Sequence, residues 1–543
     1  MRKCKRVLLA LAAGSLVAGL TACSDDGSAE SGVNLDGKRV AAMSDYKAGS
    51  QFKATEPINV SLLYLDQAHY PIKNDWLLWS EITKRTNVKI EPTVVPYSDY
   101  DQKRGLLISS GNAPMIISKT YPGQEEAFVA SGAILPVSDY IDLMPNLKDK
   151  IEKWKLQPEL NTLRQDDGKF YVLPGVLETV QPDYTVAFRT DELTRLGLSA
   201  PKTWDEFYTV LKAIKAAHPD VYPFSDRFEG KSILNQVGQG FGTYGGDNWG
   251  YVKNISWNEN KQSFDFTGTT PEYRQLIEYF HKLVAEGLMD PESFTQKDDQ
   301  AKQKFASGKS YAISSNAQNI ANDYRPNITK IPGATVAKIR VPAGPKGDIM
   351  RGTRMDNGLM ISAKALQNDK FVAMMQFIDW LWYSPEGMEF AKWGVPGVTY
   401  DKDAAGKRTL KSDIAFGGMN AGAPKNLQRD FGFQGGVFAY GGSTELYRSM
   451  YTPEEVTFQE EMASKKVVPL PPPAPFNEAE REKATLWEAP LKDYVQQNTL
   501  QFILGKRDLS TWDAYVKELD SKGMPQYMEM VNGAHKRYKE KNG

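Results

Sequence analysis

Catalysis needs reactive side chains at fixed spacing, and this chain offers few such sets. Its four histidines, His69, His218, His281 and His535, are scattered. No His-Glu-x-x-His helix sets two imidazoles one turn apart, and no Gly-x-Ser-x-Gly elbow presents a serine. Gly308-Lys309-Ser310 lacks the upstream glycine of a phosphate loop. Gly240-Phe241-Gly242-Thr243-Tyr244-Gly245 fits G-x-G-x-x-G, but the following Gly246-Asp247-Asn248-Trp249-Gly250 does not open a helix, so dinucleotide binding is set aside. No Asp-x-Asn-x-Asp-Gly run offers a calcium loop. The 67 acidic residues leave room for a glycosidase-type carboxylate pair without pointing to one. No cofactor, metal or catalytic residue is expected.

The cysteines do point somewhere. There are two, Cys4 and Cys23. The basic start Arg2-Lys3-Cys4-Lys5-Arg6 precedes an apolar run from Val7 to Ala13, and Leu20-Thr21-Ala22-Cys23 follows, which together describe an export signal. Leu-Thr-Ala-Cys resembles the bacterial lipobox, which implies cleavage before Cys23 and lipid on its thiol. Cys4 leaves with the signal, so Cys23 has no intramolecular disulfide partner. Loss of Arg2, Lys3, Lys5 and Arg6 takes the formal charge from −1 to −5. That balance suggests no nucleic-acid or anionic-membrane partner.

The 521 residues left after cleavage are ample for more than one core. Ser24 to about Glu56 is Ser-, Asp-, Gly- and Lys-rich without apolar period, and reads as a flexible spacer. From Pro57 a strand (Ile58 to Tyr64), a helix (Trp76 to Asn87) and a strand (Val88 to Val94) give the βαβ pattern of a parallel sheet, with Met115-Ile116-Ile117 as a third strand. Thr203-Trp204-Asp205-Glu206 is a capping box, and Thr270-Pro271, Ser384-Pro385 and Ser510-Thr511 open further helices. Gly- and aromatic-rich loops are expected at about 236–257 and 417–442. The patterning is that of a two-lobe α/β protein.

Five motifs, read in order, carry a resemblance. They are Ser110-Gly111-Asn112-Ala113-Pro114-Met115, Gly168-Lys169-Phe170-Tyr171-Val172-Leu173-Pro174, Phe188-Arg189-Thr190-Asp191-Glu192, Pro201-Lys202-Thr203-Trp204-Asp205-Glu206 and Phe305-Ala306-Ser307-Gly308-Lys309. Their order resembles the family 1 extracellular solute-binding proteins of ABC importers, which include maltose-binding protein. Trp393-Gly394-Val395-Pro396-Gly397 and Phe502-Ile503-Leu504-Gly505-Lys506 are similar to the large LplA-like lipoproteins within it. Met115 departs from the acid usual after that proline.

The resemblance implies an α/β, two-lobe periplasmic-binding-protein-like fold of type II, with hinge strands crossing around a central cleft. It divides the chain into a signal peptide at 1–22, a lipid-anchored spacer at 23–56, one lobe from 57–173 and 343–420, and a second from 174–342 and 421–543. Crossings are expected near Leu173-Pro174-Gly175, Lys338 to Pro342 and Gly417 to Pro424. A sugar offers hydroxyl edges and apolar C–H faces, so its site needs ring planes and hydrogen-bonding groups. The 11 Trp and 26 Tyr make rings plentiful. The resemblance places Glu178 and Asp66 as sugar-binding acids, although a loop acid and a helix cap describe them nearly as well. Lys119 and Tyr121 follow the third strand, Asn316 and Gln318 follow the Gly308 motif, and Asp356 and Asn357 precede a strand of the first lobe. Trp249, Trp257, Trp393 and Trp487 are stacking candidates, with core packing as the commoner role of tryptophan. Arg351 and Arg354 would suit a uronate carboxylate or a sulfate, although surface arginines are commoner than anion clamps.

The expected function is capture of an oligosaccharide for an ABC-type permease by a lipid-anchored, monomeric receptor on the outer face of the cell membrane. The alternatives are a surface-tethered carbohydrate hydrolase or lyase, and a structural or sensory lipoprotein.

Overall fold

The computed structural model describes residues 33–67, 69–244 and 254–542. Cys23, its leader and Trp249 lie outside them. Eight strands carry the two central sheets: β1 (Ile58–Asp66), β2 (Val88–Pro96), β3 (Ile116–Thr120), β4 (Leu173–Val176), β5 (Thr185–Arg189), β6 (Ala312–Ser315), β7 (Val336–Lys338) and β8 (Met355–Ile361).

The first lobe is built on the order β2-β1-β3-β8-β4. β1 pairs in parallel with β2 from Ile58↔Val88 to Asp66↔Pro96, and with β3 on its other edge. Helix α1 (Leu77–Thr86) makes the crossover and ends at Asn87, whose φ of 57° turns the chain back into β2. β8 returns from far along the chain and runs antiparallel between β3 and β4. Gly358 permits that insertion, because a Cβ there would lie 1.8 Å from the Leu173 carbonyl oxygen. Helix α2 (Phe371–Tyr383) is buried at every residue and fills the lobe behind the sheet. Helix α3 (Pro385–Trp393) follows at once, its first turn capped by Ser384 Oγ, which accepts from the Gly387 amide at 2.8 Å.

The second lobe has a three-stranded sheet, β6-β5-β7, antiparallel throughout. Helix α4 (Trp204–Ala217) begins where the Thr203 hydroxyl accepts from the Glu206 amide at 3.1 Å. The return arm of the box lands one residue early, on the Lys202 amide. Helix α5 (Pro271–Ala285), capped by Thr270, shares a core with the long C-terminal helix α6 (Glu478–Ile503) and with α7 (Trp512–Ser521) and α8 (Met524–Asn542). Leu276, Phe280, Val495, Phe502, Tyr515 and Val531 meet there. The first glycine-aromatic stretch is in part helical, from Lys231 to Phe241.

Several boundaries differ from expectation. The spacer expected to extend to Glu56 is, from Leu35 onward, a strap of turns bound to the first lobe. Phe52 is fully buried against Phe377, Met43 and Gln376 exchange two hydrogen bonds, and Tyr46 bonds Asp379. Its polar composition hides these few anchors. The second crossing lies at 352–354, beyond the expected Lys338 to Pro342. The chain stays with the second lobe until Ile349–Arg351 pairs with Lys466–Val468. The third crossing lies near 450–452 instead of Gly417 to Pro424. Residues 427–440, expected in the second lobe, seal the first. Trp76 Nε1 donates to the Arg429 carbonyl, the Gln434 amide to that of Ala391, and Trp382 Nε1 to that of Val437. Phe433 and Phe438 enter the same core as Phe390 and Trp382.

Candidate functional site

The crossings converge on a cavity of about 560 Å³ walled by both lobes. Its rings are four tyrosines and two phenylalanines, Phe416 and Phe458. Tyr70 and Tyr440 come from the first lobe and its sealing segment, and Tyr447 and Tyr451 from the segment leading into the third crossing. Tyr184 stands at the end of the first crossing, beside the lining residue Asp183 and hydrogen-bonded to Asn316. Burial pushes the Tyr70 and Tyr184 phenols up to about 12, and those of Tyr121 and Tyr440 higher still. All therefore stay protonated at neutral pH, each able to donate and to accept.

A charged cluster stands behind Tyr440 and Lys392 of the lining. The penultimate residue of β3 is Lys119, whose φ of 53° is a backbone conformation sparsely used by residues with a side chain. Arg104 holds the turn by donating to the Lys119 carbonyl at 2.7 Å. The ammonium donates to the Tyr440 hydroxyl and lies 4.2 Å and 5.3 Å from the ring centres of Tyr440 and Tyr121. Asp356, near the start of β8, accepts from the amide and side chain of Asn357 at 2.6 and 3.0 Å. Burial raises its carboxyl against the opposing pull of Lys119 and Lys392. Lys392, in the last turn of α3, is 2% exposed, donates to the Ala439 carbonyl and lies 4.4 Å from the Tyr447 ring centre. Burial lowers its ammonium to about 7, with Asp356 acting in the opposite direction. On the second lobe, Lys338 bridges Asp183 at 3.3 Å and Glu455 at 2.8 Å, and Arg325 pairs with Glu454.

Of the residues expected from the sequence, Gln318 lines this cavity and five others stand beside it. Lys119, Tyr121, Asp356 and Asn357 form one cluster, with Asn357 hydrogen-bonded to Tyr440. Gln318 lines the cavity from the second lobe, and Asn316 is hydrogen-bonded to Tyr184 while capping the next turn through the Asn319 amide. The other expected residues are engaged in the fold. Glu178 accepts from the Thr444 amide at 2.7 Å, capping a helix, and Asp66 accepts from the Ile72 amide at 2.8 Å, closing a turn. Trp257 packs on Phe264 and His535 at the C-terminal helices. Trp393 is wholly buried, with Nε1 donating to Ser449 Oγ, and Trp487 lies against Gly523. Arg354 is tied to Glu159 and the Trp154 carbonyl, and Arg351 lies 4.0 Å from the Tyr244 ring centre. Neither arginine lines the cavity.

Sequence reading missed Tyr70, Tyr184, Tyr440, Tyr447, Tyr451 and Lys392. A signal existed for Tyr440, which stands between glycine pairs in Gly435-Gly436-Val437-Phe438-Ala439-Tyr440-Gly441-Gly442. Lys392 looks like any helix lysine, and its burial is a tertiary effect.

Two α/β lobes, linked by crossing segments around a ring-lined cleft, define a hinged solute-binding protein. A family model described as bacterial extracellular solute-binding protein matches residues 66–389, and the chain belongs to that family. It is similar to the fructooligosaccharide ABC transporter substrate-binding protein FusA of Streptococcus pneumoniae, at 24% identity over 92% of this chain and 94% of that protein. It is equally similar, at 24% identity over 84% and 88% of the two chains, to the polygalacturonan/rhamnogalacturonan-binding protein YtcQ of Bacillus subtilis. Among solved structures, the alginate-binding protein AlgQ2 without calcium ion superposes with a TM-score of 0.70 at 22% identity, over 90% of this chain and 99% of that one. FusA in complex with kestose gives 0.65 at 21%, over 89% and 100%. Among the described residues no helix is long and apolar enough to cross a membrane, and no group of three His, Cys, Asp or Glu side chains is placed to hold a metal ion.

Proposed function

We propose that the protein is a lipid-anchored, monomeric receptor that captures an oligosaccharide in the tyrosine cleft and delivers it to an ABC-type permease. The observation that carries this reading is the cleft lining. Neutral phenols from both sides offer ring faces to sugar C–H surfaces and hydroxyls to sugar edges, around the segments that let the lobes close. The sugar-binding relatives agree with it. Cys23 would carry the lipid. The strap starting at Leu35 leaves a tether of a dozen residues, spanning at most about 40 Å, which keeps the receptor beside its importer. Binding and closure are the whole activity in this reading.

Titration calorimetry of the mature lipoprotein, in mild detergent, against a panel of oligosaccharides tests it. Saturable binding of at least one oligomer, without new reducing ends, is the expected result. Steady release of reducing ends would replace the receptor with a hydrolase or lyase. Silence across the panel would remove the sugar.

A further inference from the structure

We infer that the ligand is an uncharged oligosaccharide, and that oligouronates and sulfated glycans are turned away because carboxylates outnumber cations in the cleft lining and each lining cation already faces a carboxylate or a carbonyl of the protein. This inference rests on the cleft being the sugar site. Recognition of a carboxylate or sulfate calls for an arginine or lysine with donors to spare, ideally a guanidinium offering two. Among the described residues lining this cavity the cations are Arg325, Lys338 and Lys392, and each already faces a carboxylate or a carbonyl of the protein.

The cations are committed one by one. Lys338, buried, places its ammonium on the Asp183 carbonyl at 3.1 Å, the Asp183 carboxylate at 3.3 Å and the Glu455 carboxylate, which uses its three protons. Arg325 is paired with Glu454. Lys119 is held by the Tyr440 hydroxyl between two rings and under the influence of Asp356. Lys392 is spent on the Ala439 carbonyl, beside the Tyr447 ring. Recruiting Lys338 for an incoming anion would leave Glu455, 7% exposed, with the Gln459 side chain but no cation, an unfavourable exchange of the kind seen when one member of a buried pair is removed.

The acids strengthen the argument. Asp183, Glu454, Glu455 and Glu461 all line the cavity, so an anionic sugar would enter a wall of carboxylates. An uncharged sugar meets no such barrier. Its hydroxyls can accept from and donate to the phenols, to the side-chain amides of Gln318, Gln428 and Gln434 that line the same space, and to the outward lone pairs of the carboxylates. The two arginines that could have made an anion clamp, Arg351 and Arg354, are outside the cavity.

The test is calorimetry on the mature lipoprotein with uncharged trimers (fructo-, xylo-, malto- and galacto-oligosaccharides) and charged trimers (galacturonate, mannuronate, guluronate), at low and moderate salt. The expected result is saturable binding of at least one uncharged series, with every uronate at least about 100-fold weaker. A uronate bound as tightly as the best uncharged trimer would overturn the inference and leave the receptor reading intact. Failure of both sets would overturn both. A gain-of-function variant tests the cause separately. Glu454→Gln, at a half-exposed site, frees Arg325, and trigalacturonate affinity should rise at least about tenfold, with an unchanged melting temperature. No gain in a folded variant would overturn the pairing argument.

Discussion

Two buried carboxylates in the first lobe make an instructive contrast. Asp379, wholly buried on α2, receives the Tyr46 hydroxyl at 2.9 Å, the Asn146 amide at 3.0 Å, the Asn146 side chain at 2.7 Å and the Leu147 amide at 2.9 Å. Burial still raises its carboxyl to about 6, but its lone pairs are taken by fixed donors from two segments. Asp356, partly buried, has two donors, both from Asn357, with two lysines nearby, one of which, Lys392, lines the cavity. The first arrangement is finished and holds parts together. The second is incomplete and invites a partner. Burial and a raised pKa are common to both, so neither marks a binding site by itself. The number of donors left for a ligand to supply is what separates them.

The largest effect should come from breaking the finished site. Asp379→Ala strands two backbone amides, the Asn146 side chain and the Tyr46 hydroxyl, and opens a hole beneath the strap. A stability loss of about 3 kcal/mol or more is expected in denaturant unfolding, with the affinity of the folded protein for its sugar unchanged. Loss of affinity at unchanged stability would erase the contrast.

Asp356→Asn should do the reverse. A carboxylate hydrogen bond to a sugar hydroxyl is worth about 1.5–3 kcal/mol, so affinity should fall ten- to hundredfold. The melting temperature should hold or rise, since a buried charge is relieved. A variant that binds normally but unfolds easily would reclassify Asp356 as structural.

Lys392→Met sharpens the contrast through pH. The folded ammonium titrates near 7 and the unfolded one near 10.5. Between those values the unfolded chain holds the extra proton, so stability rises with pH across the window, by at most about 1.4 kcal/mol per pH unit from this group. Below pH 7 both states are protonated and the burial penalty is felt in full. The variant should lose that slope between pH 7 and 10 and be more stable than the parent at pH 6, as read from denaturation midpoints. An unchanged slope would show that Lys392 does not face the low-dielectric surroundings assigned to it.

Much of the scaffold was legible in the sequence, because local rules govern it. The β1-α1-β2 unit follows from apolar spacing and an asparagine stop, and the caps at Thr203, Thr270 and Ser384 follow from side-chain chemistry. That Lys119 and Asp356 stand close together was legible for the same reason, since residues at the ends of identifiable strands must face one edge of the sheet. The rest depends on long-range contact. Nothing local tells residues 427–440 to turn back onto Ala391 and Trp76, so the third crossing was misplaced. Tryptophans were favoured as sugar platforms because of their ring area. That same area makes Trp393 worth more in a core, and the tyrosines, which carry a hydroxyl that tolerates the cleft, took the exposed role. The strap was hidden by composition, since Tyr46 and Phe52 are isolated among polar residues and only their destinations reveal them.

The smallest effect, and the finest test of the contrast, belongs to Tyr46→Phe. The substitution keeps the ring against Phe52 and removes one of the donors to Asp379. The cost should be about 1 kcal/mol near neutral pH, and it should depend on pH in a defined sense. The Asp379 carboxyl titrates near 6 when folded and near 3.8 when unfolded, so the folded state holds the extra proton between them and its stability from this group falls as pH rises through that window. The lost hydroxyl favours the ionised carboxylate. Its removal therefore costs least at pH 4, where Asp379 is mostly protonated, and most at pH 8, where a charge-assisted bond is gone. Paired unfolding curves at those two pH values measure the difference. A cost independent of pH would mean that the strap is held by the packing of Phe52 alone and that Asp379 is a bystander to it.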